Sequence, residues 1–159
     1  MEATFNFTNV AHIGTDTLVG HFNDLLANYS VFYMNVRGFN WNVRGAQFFE
    51  LQQQFQSLAA DLSKKTDRIA AQVLEMGAQP MHTYSDFLEL TNIAEVCNVC
   101  DGRDAVVSIL DSLRILLIKQ RDLLWLADEA GDRASCALLS DCIDEQENWV
   151  WTFSAFSQV

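Results

Sequence analysis

The chain has 159 residues, half of them hydrophobic, and carries 10 Lys and Arg against 21 Asp and Glu for a net charge of −11. That length suits one domain over residues 1–159 with a sizeable core, and one proline with seven glycines supplies too few breakers for a sandwich or barrel of many short strands. No apolar run reaches the ~20 residues of a membrane span, and a chain with no basic residue before Arg37 or after Arg133 repels phosphate, so direct DNA binding is not expected.

The opening MEATFNFTNVAH lacks the basic residues and apolar block of a secretory signal. The expectation is therefore a cytoplasmic protein with its four cysteines reduced. The first helix is predicted from Thr15-Asp16, which are good cap residues. Its apolar positions Leu18, Phe22, Leu25, Tyr29, Phe32 and Val36 alternate spacings of four and three, so they form one face. NVRG occurs at 35–38 and again at 42–45, a seven-residue repeat that reads as two polar turns near a helix end.

A second helix begins after Gly45 and carries Phe48, Phe55, Leu58, Leu62, Ile69, Val73 and Met76. Gly77 is a natural stop, with Pro80 just beyond. The stretch leading into this helix, FNWNVRGAQFFELQQQF, mixes core aromatics with six amides: Asn40, Asn42, Gln47, Gln52, Gln53 and Gln54. Buried amides are costly unless paired, so their presence at helical spacing needs a reason.

Residues 77–103 can travel the length of a bundle and hold a short helix near Ser85–Leu90, capped by Thr83 or Ser85. The third long helix runs from about Asp104 to Ala130 through Val107, Leu110, Leu113, Leu117, Leu124 and Leu126, and Gly131 ends it. The fourth starts near Asp132 and includes Leu138, Leu139, Ile143, Trp149, Val150, Phe153 and Phe156. Short links make helices one and two antiparallel, and likewise three and four. An all-α, four-helix bundle with one long crossover carrying a short helix is the ferritin-like arrangement.

Four stretches carry a closer resemblance. RGFNWNVRGAQFFELQQQF, DRIAAQVLEMGAQP and FLEL, followed by EAGDRASCALLSDCIDEQENWVW, resemble the Dps mini-ferritins (DNA-binding protein from starved cells) over nearly the whole chain. The resemblance implies a homo-oligomeric shell of twelve bundles that takes in ferrous iron, oxidises it, preferably with peroxide, and stores ferric mineral. The family's oxidation site lies between two subunits: one supplies two histidines and a nearby carboxylate, its partner an Asp and a Glu.

Carried over by position, the two histidines fall on Asn40 and Gln52 and the nearby carboxylate on Gln56. The family's D-x-x-A-E pattern reads Asp67-Arg68-Ile69-Ala70-Ala71, so Asp67 remains and the glutamate position holds Ala71. Four of the five ligand positions have thus lost their ligating group, and the amides stand in for imidazole and carboxylate, which divalent iron prefers. Iron is the metal the resemblance implies, but this donor set does not suit it at the oxidation site. Asp67 then needs compensation from Arg68 or from the amide groups of Asn40 and Gln52. The family's acidic entry pores map near Asp128 and Asp132, with Arg133 and Ala137 where acids are common. The acidic run Asp141, Asp144, Glu145 and Glu147 reads as a lumenal cation surface or a solvated face.

Other chemistry is sparse. Cys97-Asn98-Val99-Cys100 is a CxxC that can be redox-active or, with Cys136 and Cys142, zinc-binding; the second pair's six-residue spacing argues against a four-cysteine site. His12, His21 and His82 are scattered and read as ordinary polar groups. Three functions follow: iron storage and stress protection with a disabled oxidation site, a non-catalytic subunit mixing with an active paralogue, or a thiol or zinc role through the CxxC.

Overall fold

The computed structural model describes residues 15–157. Its elements are α1 (Thr15–Asn42), α2 (Phe48–Glu75), α3 (Tyr84–Leu90), α4 (Gly102–Glu129) and α5 (Arg133–Ser157). His12 lies outside the described residues. α1 packs against α2, α4 against α5, and α1 also meets α3 and α4. This is the ferritin-like four-helix bundle, with the long crossover between α2 and α4 and the short α3 within it.

Local chemistry sets the boundaries. Thr83 accepts from the backbone N–H of Asp86 to open α3. Asp101 accepts from Arg103 and Asp104 to open α4, and Asp132 accepts from both the N–H and the hydroxyl of Ser135 to open α5. After α2 the chain turns at Gly77, whose φ of +80° is open to glycine without strain, and Ala78 N–H returns to Val73 O. Gly102 is needed for another reason: a Cβ there would lie 2.3 Å from Leu51 Cδ1, so the start of α4 presses directly on α2.

The apolar face expected of α1 is buried in full, from Leu18 to Val36. It joins Phe55, Leu58, Leu62, Ile69 and Val73 of α2, Ile109, Leu113 and Leu116 of α4, and Leu139 and Phe153 of α5 in one core. Phe39, Phe55, Phe153 and Trp149 form an aromatic file with centroids 5.8 to 6.2 Å apart. Val107, expected on the inner face of its helix, is 57% exposed because Ala105 and Val106 take the core positions at that turn. The terminal WVWTFSAF is split: Phe153 is buried, Trp151 is 71% exposed, and Trp149, Val150 and Phe156 lie between.

The crossover is held by side chains on α1. Asn23 accepts from Met81 N–H at 2.8 Å. Asn28 accepts from Asn92 N–H at 2.9 Å and from the Thr91 hydroxyl at 3.3 Å. Asn35 donates to Ala94 O at 2.9 Å and accepts from Val96 N–H at 3.0 Å. These amides satisfy backbone groups that have no sheet or helix to pair with. The first NVRG copy lies inside α1, with Asn35 as an anchor, while only the second reaches the α1–α2 turn. There Arg44 N–H donates to Cys100 O at 3.0 Å and ties the turn to the crossover's end.

Candidate metal site

Of the six amides between residues 40 and 54, only Asn40 is buried; Gln52 is half-buried and the others are exposed. Asn40 projects from the last turn of α1 onto the first turns of α2, where its Nδ2 donates to Gln52 O at 2.9 Å. That bond directs Oδ1 to the guanidinium of Arg37, whose Nη1 lies 3.5 Å away. Arg37 is itself seated over the Trp41 ring, with Cζ 5.0 Å from the centroid. Both polar ends of Asn40 are therefore engaged, one with a carbonyl and one with a cation.

Gln52 and Gln56 share one face of α2 one turn apart, and Gln56 is exposed. Asp67 and Ala71, also exposed, come eleven and fifteen residues after Gln56 on the same helix. At 1.5 Å per residue, Asp67 is roughly 16 Å further along the axis. A single chain thus brings Asn40, Gln52 and Gln56 to one end of α2 and leaves Asp67 and Ala71 well away from them. The compensation expected for Asp67 is placed elsewhere: Arg68 pairs with Asp141 at 3.0 Å, and the Asn40 amide is committed to Gln52 O.

The cysteines do not gather. Cys97 and Cys100 are exposed on the crossover, with Asn98 between them at φ +60°. Cys142 is buried inside α5, and burial, with Glu145 adding to it and Lys65 and Arg68 opposing, pushes its thiol up to about 11. Cys136 is half-buried, its thiol raised by desolvation and by the charges of Asp128 and Asp132. Asp128 is exposed, and Asp132 is occupied as the α5 cap. His21 and His82 are exposed. Among the described residues no three His, Cys, Asp or Glu side chains are grouped to hold a metal ion.

A further polar cluster runs outward from the buried Tyr29. Gln120 and Gln146 both donate to the Tyr29 hydroxyl, and their own Oε1 atoms have no partner within the described residues. Burial raises the Tyr29 phenol well above its ordinary value. Beside it Lys65, 1% exposed, contacts Asp61 and Glu145 at 2.5 Å each, and Trp149 Nε1 donates to the same Asp61 oxygen at 2.9 Å. A signal for this cluster existed. Lys65 interrupts the apolar series Leu58, Leu62, Ile69, Val73, while Gln120 and Gln146 fall in register with Leu113 and Leu139.

Residues 19–159 match the family model of the ferritin-like domain. The chain is 34% identical over 157 residues to a DNA protection during starvation protein of Porphyromonas gingivalis, covering 99% of both chains. It is 38% identical over 141 residues to an uncharacterized protein of Haemophilus influenzae, covering 89% of this chain and 88% of that one. The crystal structure of a Vibrio cholerae O1 DPS protein, described as a member of the ferritin-like diiron-carboxylate superfamily, superposes with a TM-score of 0.89. It is 44% identical, and the match covers 90% of each chain.

Proposed function

Because the chain belongs to the Dps family of ferritin-like proteins, we propose that it builds the family's iron-storing, stress-protective shell while its own oxidation site is inactive. One observation carries this reading: the side chain at the first histidine position, Asn40, is a neutral amide held by Gln52 O, with its oxygen turned to the cationic guanidinium of Arg37, a setting that disfavours a second cation. The remaining positions agree, since Gln52 and Gln56 present neutral amides and Ala71 presents a methyl group. Ferrous iron needs imidazole nitrogen or anionic oxygen to bind at micromolar levels and to stabilise the ferric product. Iron is cargo in this reading, held by lumenal carboxylates and not by the oxidation site. The shell is a homo-oligomer, twelve copies by family membership.

The test is ferrous oxidation by peroxide and by air, followed by absorbance, with metal analysis of the purified protein. The expected rate is little above the protein-free background. Rapid oxidation by the native protein would overturn the reading.

A further inference from the structure

We infer that Cys97 and Cys100 form a redox-active dithiol that reduces a hydroperoxide and closes to a disulfide within one chain. The inference asks nothing of the oxidation site and goes beyond the iron-storing reading.

The loop that carries the two cysteines is fixed on both sides. Asn35 Oδ1 accepts from Val96 N–H at 3.0 Å, and Cys100 O accepts from Arg44 N–H at 3.0 Å. Val96 and Val99, three residues apart, turn in and pack on the core. Cys97 and Cys100, at the same spacing, are both exposed, so the two thiols share the outer side of the loop. In an extended strand, residues three apart have Cα atoms roughly 10 Å from each other, beyond the roughly 4.4–6.8 Å that a disulfide spans. Here the chain bends between them at Asn98, whose φ of +60° is left-handed and shortens the span. Asn98 also donates its side-chain amide to Cys97 Sγ at 3.7 Å, which steadies that sulfur.

The other thiols lack these properties. Cys136 and Cys142 lie six residues apart on α5, roughly 9 Å along its axis, and Cys142 is buried. Among the described residues no third His, Cys, Asp or Glu side chain gathers with Cys97 and Cys100, so the pair lacks the further ligands of a structural zinc site. Two exposed thiols on one short, anchored loop are suited to peroxide chemistry and thiol exchange.

One thiolate sulfur attacks a peroxide oxygen; the O–O bond breaks, the other oxygen leaves as water or an alcohol, and the attacked oxygen stays on sulfur as a sulfenic acid. The second thiolate attacks that sulfur, the S–S bond forms, and the hydroxyl leaves as water. The two leaving groups take up the protons that the two thiols released. The pair loses two electrons and the hydroperoxide gains them. An external thiol, exchanging through a mixed disulfide, restores both cysteines.

The experiment treats the full chain, metal-free and with chelator present, with hydrogen peroxide and counts free thiols after denaturation. The count should fall from four to two, and the mass should drop by two hydrogens. The chain should stay monomeric on a non-reducing denaturing gel, and dithiothreitol should restore all four thiols. In Cys97→Ser or Cys100→Ser the disulfide cannot close, and the sulfenic acid on the remaining thiol should be trapped by dimedone. Four thiols surviving excess peroxide would overturn the pair, as would disulfides between chains. An unchanged loss of two thiols in the double variant Cys97→Ser/Cys100→Ser would overturn it too, by placing the chemistry on α5. With iron chelated, none of these outcomes depends on whether the native protein oxidises ferrous iron.

Discussion

Gln120 on α4 donates to the Tyr29 hydroxyl on α1 at 2.5 Å with both side chains fully buried, so the phenol oxygen ties α4 to α1 inside the core. Gln146 of α5 donates to the same oxygen. Tyr29→Phe should strip both amides of their acceptor and cost about 2–4 kcal/mol, read from urea unfolding. Adding Gln120→Leu and Gln146→Leu to that variant should recover most of the loss, because no polar group is then left unpaired. A triple variant less stable than Tyr29→Phe would contradict this account.

Lys65 has its ammonium between Asp61 and Glu145 while its own side chain is 1% exposed. Lys65→Met keeps the length and removes the charge, leaving Asp61 largely buried with only Trp149 as donor. Destabilisation of about 3 kcal/mol is expected, somewhat below a fully buried case because Glu145 is half-exposed. Unchanged stability would show that the ion pair contributes nothing net.

Burial holds the Cys142 thiol protonated up to about pH 11, against an ordinary value near 9. The sign follows from linkage: below pH 9 both states are protonated and nothing is lost. Between pH 9 and 11 the unfolded thiol ionises while the folded one does not, so stability falls as pH rises. The full effect approaches about 2–3 kcal/mol. Cys142→Ala should flatten that part of the stability curve, leaving the loss caused by Tyr29 above pH 10. Under native conditions at pH 8 a thiol reagent should modify the exposed Cys97 and Cys100 quickly and Cys142 only on unfolding.

Rebuilding the family's ligand set is the positive control for the proposed inactivity of the oxidation site. Asn40→His, Gln52→His, Gln56→Asp and Ala71→Glu together supply two imidazoles and two carboxylates to join Asp67. Ferrous oxidation should rise well above background, and apo stability should drop by about 1–3 kcal/mol as Asn40 leaves its bond to Gln52 O. Added metal should return that stability. Oxidation no faster than the native protein would place the defect elsewhere.

Duplex DNA should not bind at physiological salt in the presence of chelator. The chain is acidic throughout, with net charge −11, and neither its first 36 nor its last 26 residues carry Lys or Arg. A gel shift under those conditions would refute the prediction.

The bundle was legible because its signals are periodic and local. The α1 face from Leu18 to Val36, the stop at Gly77 and the Thr83 cap of α3 each follow from neighbours in sequence. What escaped was long-range polar pairing. Nothing near Asn23, Asn28 or Asn35 announces that each holds backbone some sixty residues away. The amide-rich stretch misled in the other direction, since most of its amides simply face solvent and Asn40 alone is buried. The seat of Arg37 escaped notice because it depends on Asn40 and Trp41 together, one bonded to α2 and the other largely exposed.

The three α1 asparagines take hold of the crossover in the order in which it runs, Asn23 at Met81, Asn28 at Thr91-Asn92 and Asn35 at Ala94 and Val96. The helix therefore acts as a ruler with marks at unequal intervals. Between the last two marks the chain has no slack, and one inserted residue would throw Ala94 and Val96 out of step with Asn35. Between the first two lies the α3 segment, residues 82–90, which no ruler mark constrains. Changes in length, whether natural or engineered, belong in that interval, and a peptide tag grafted there should leave the bundle standing where the same tag after Asn92 would not.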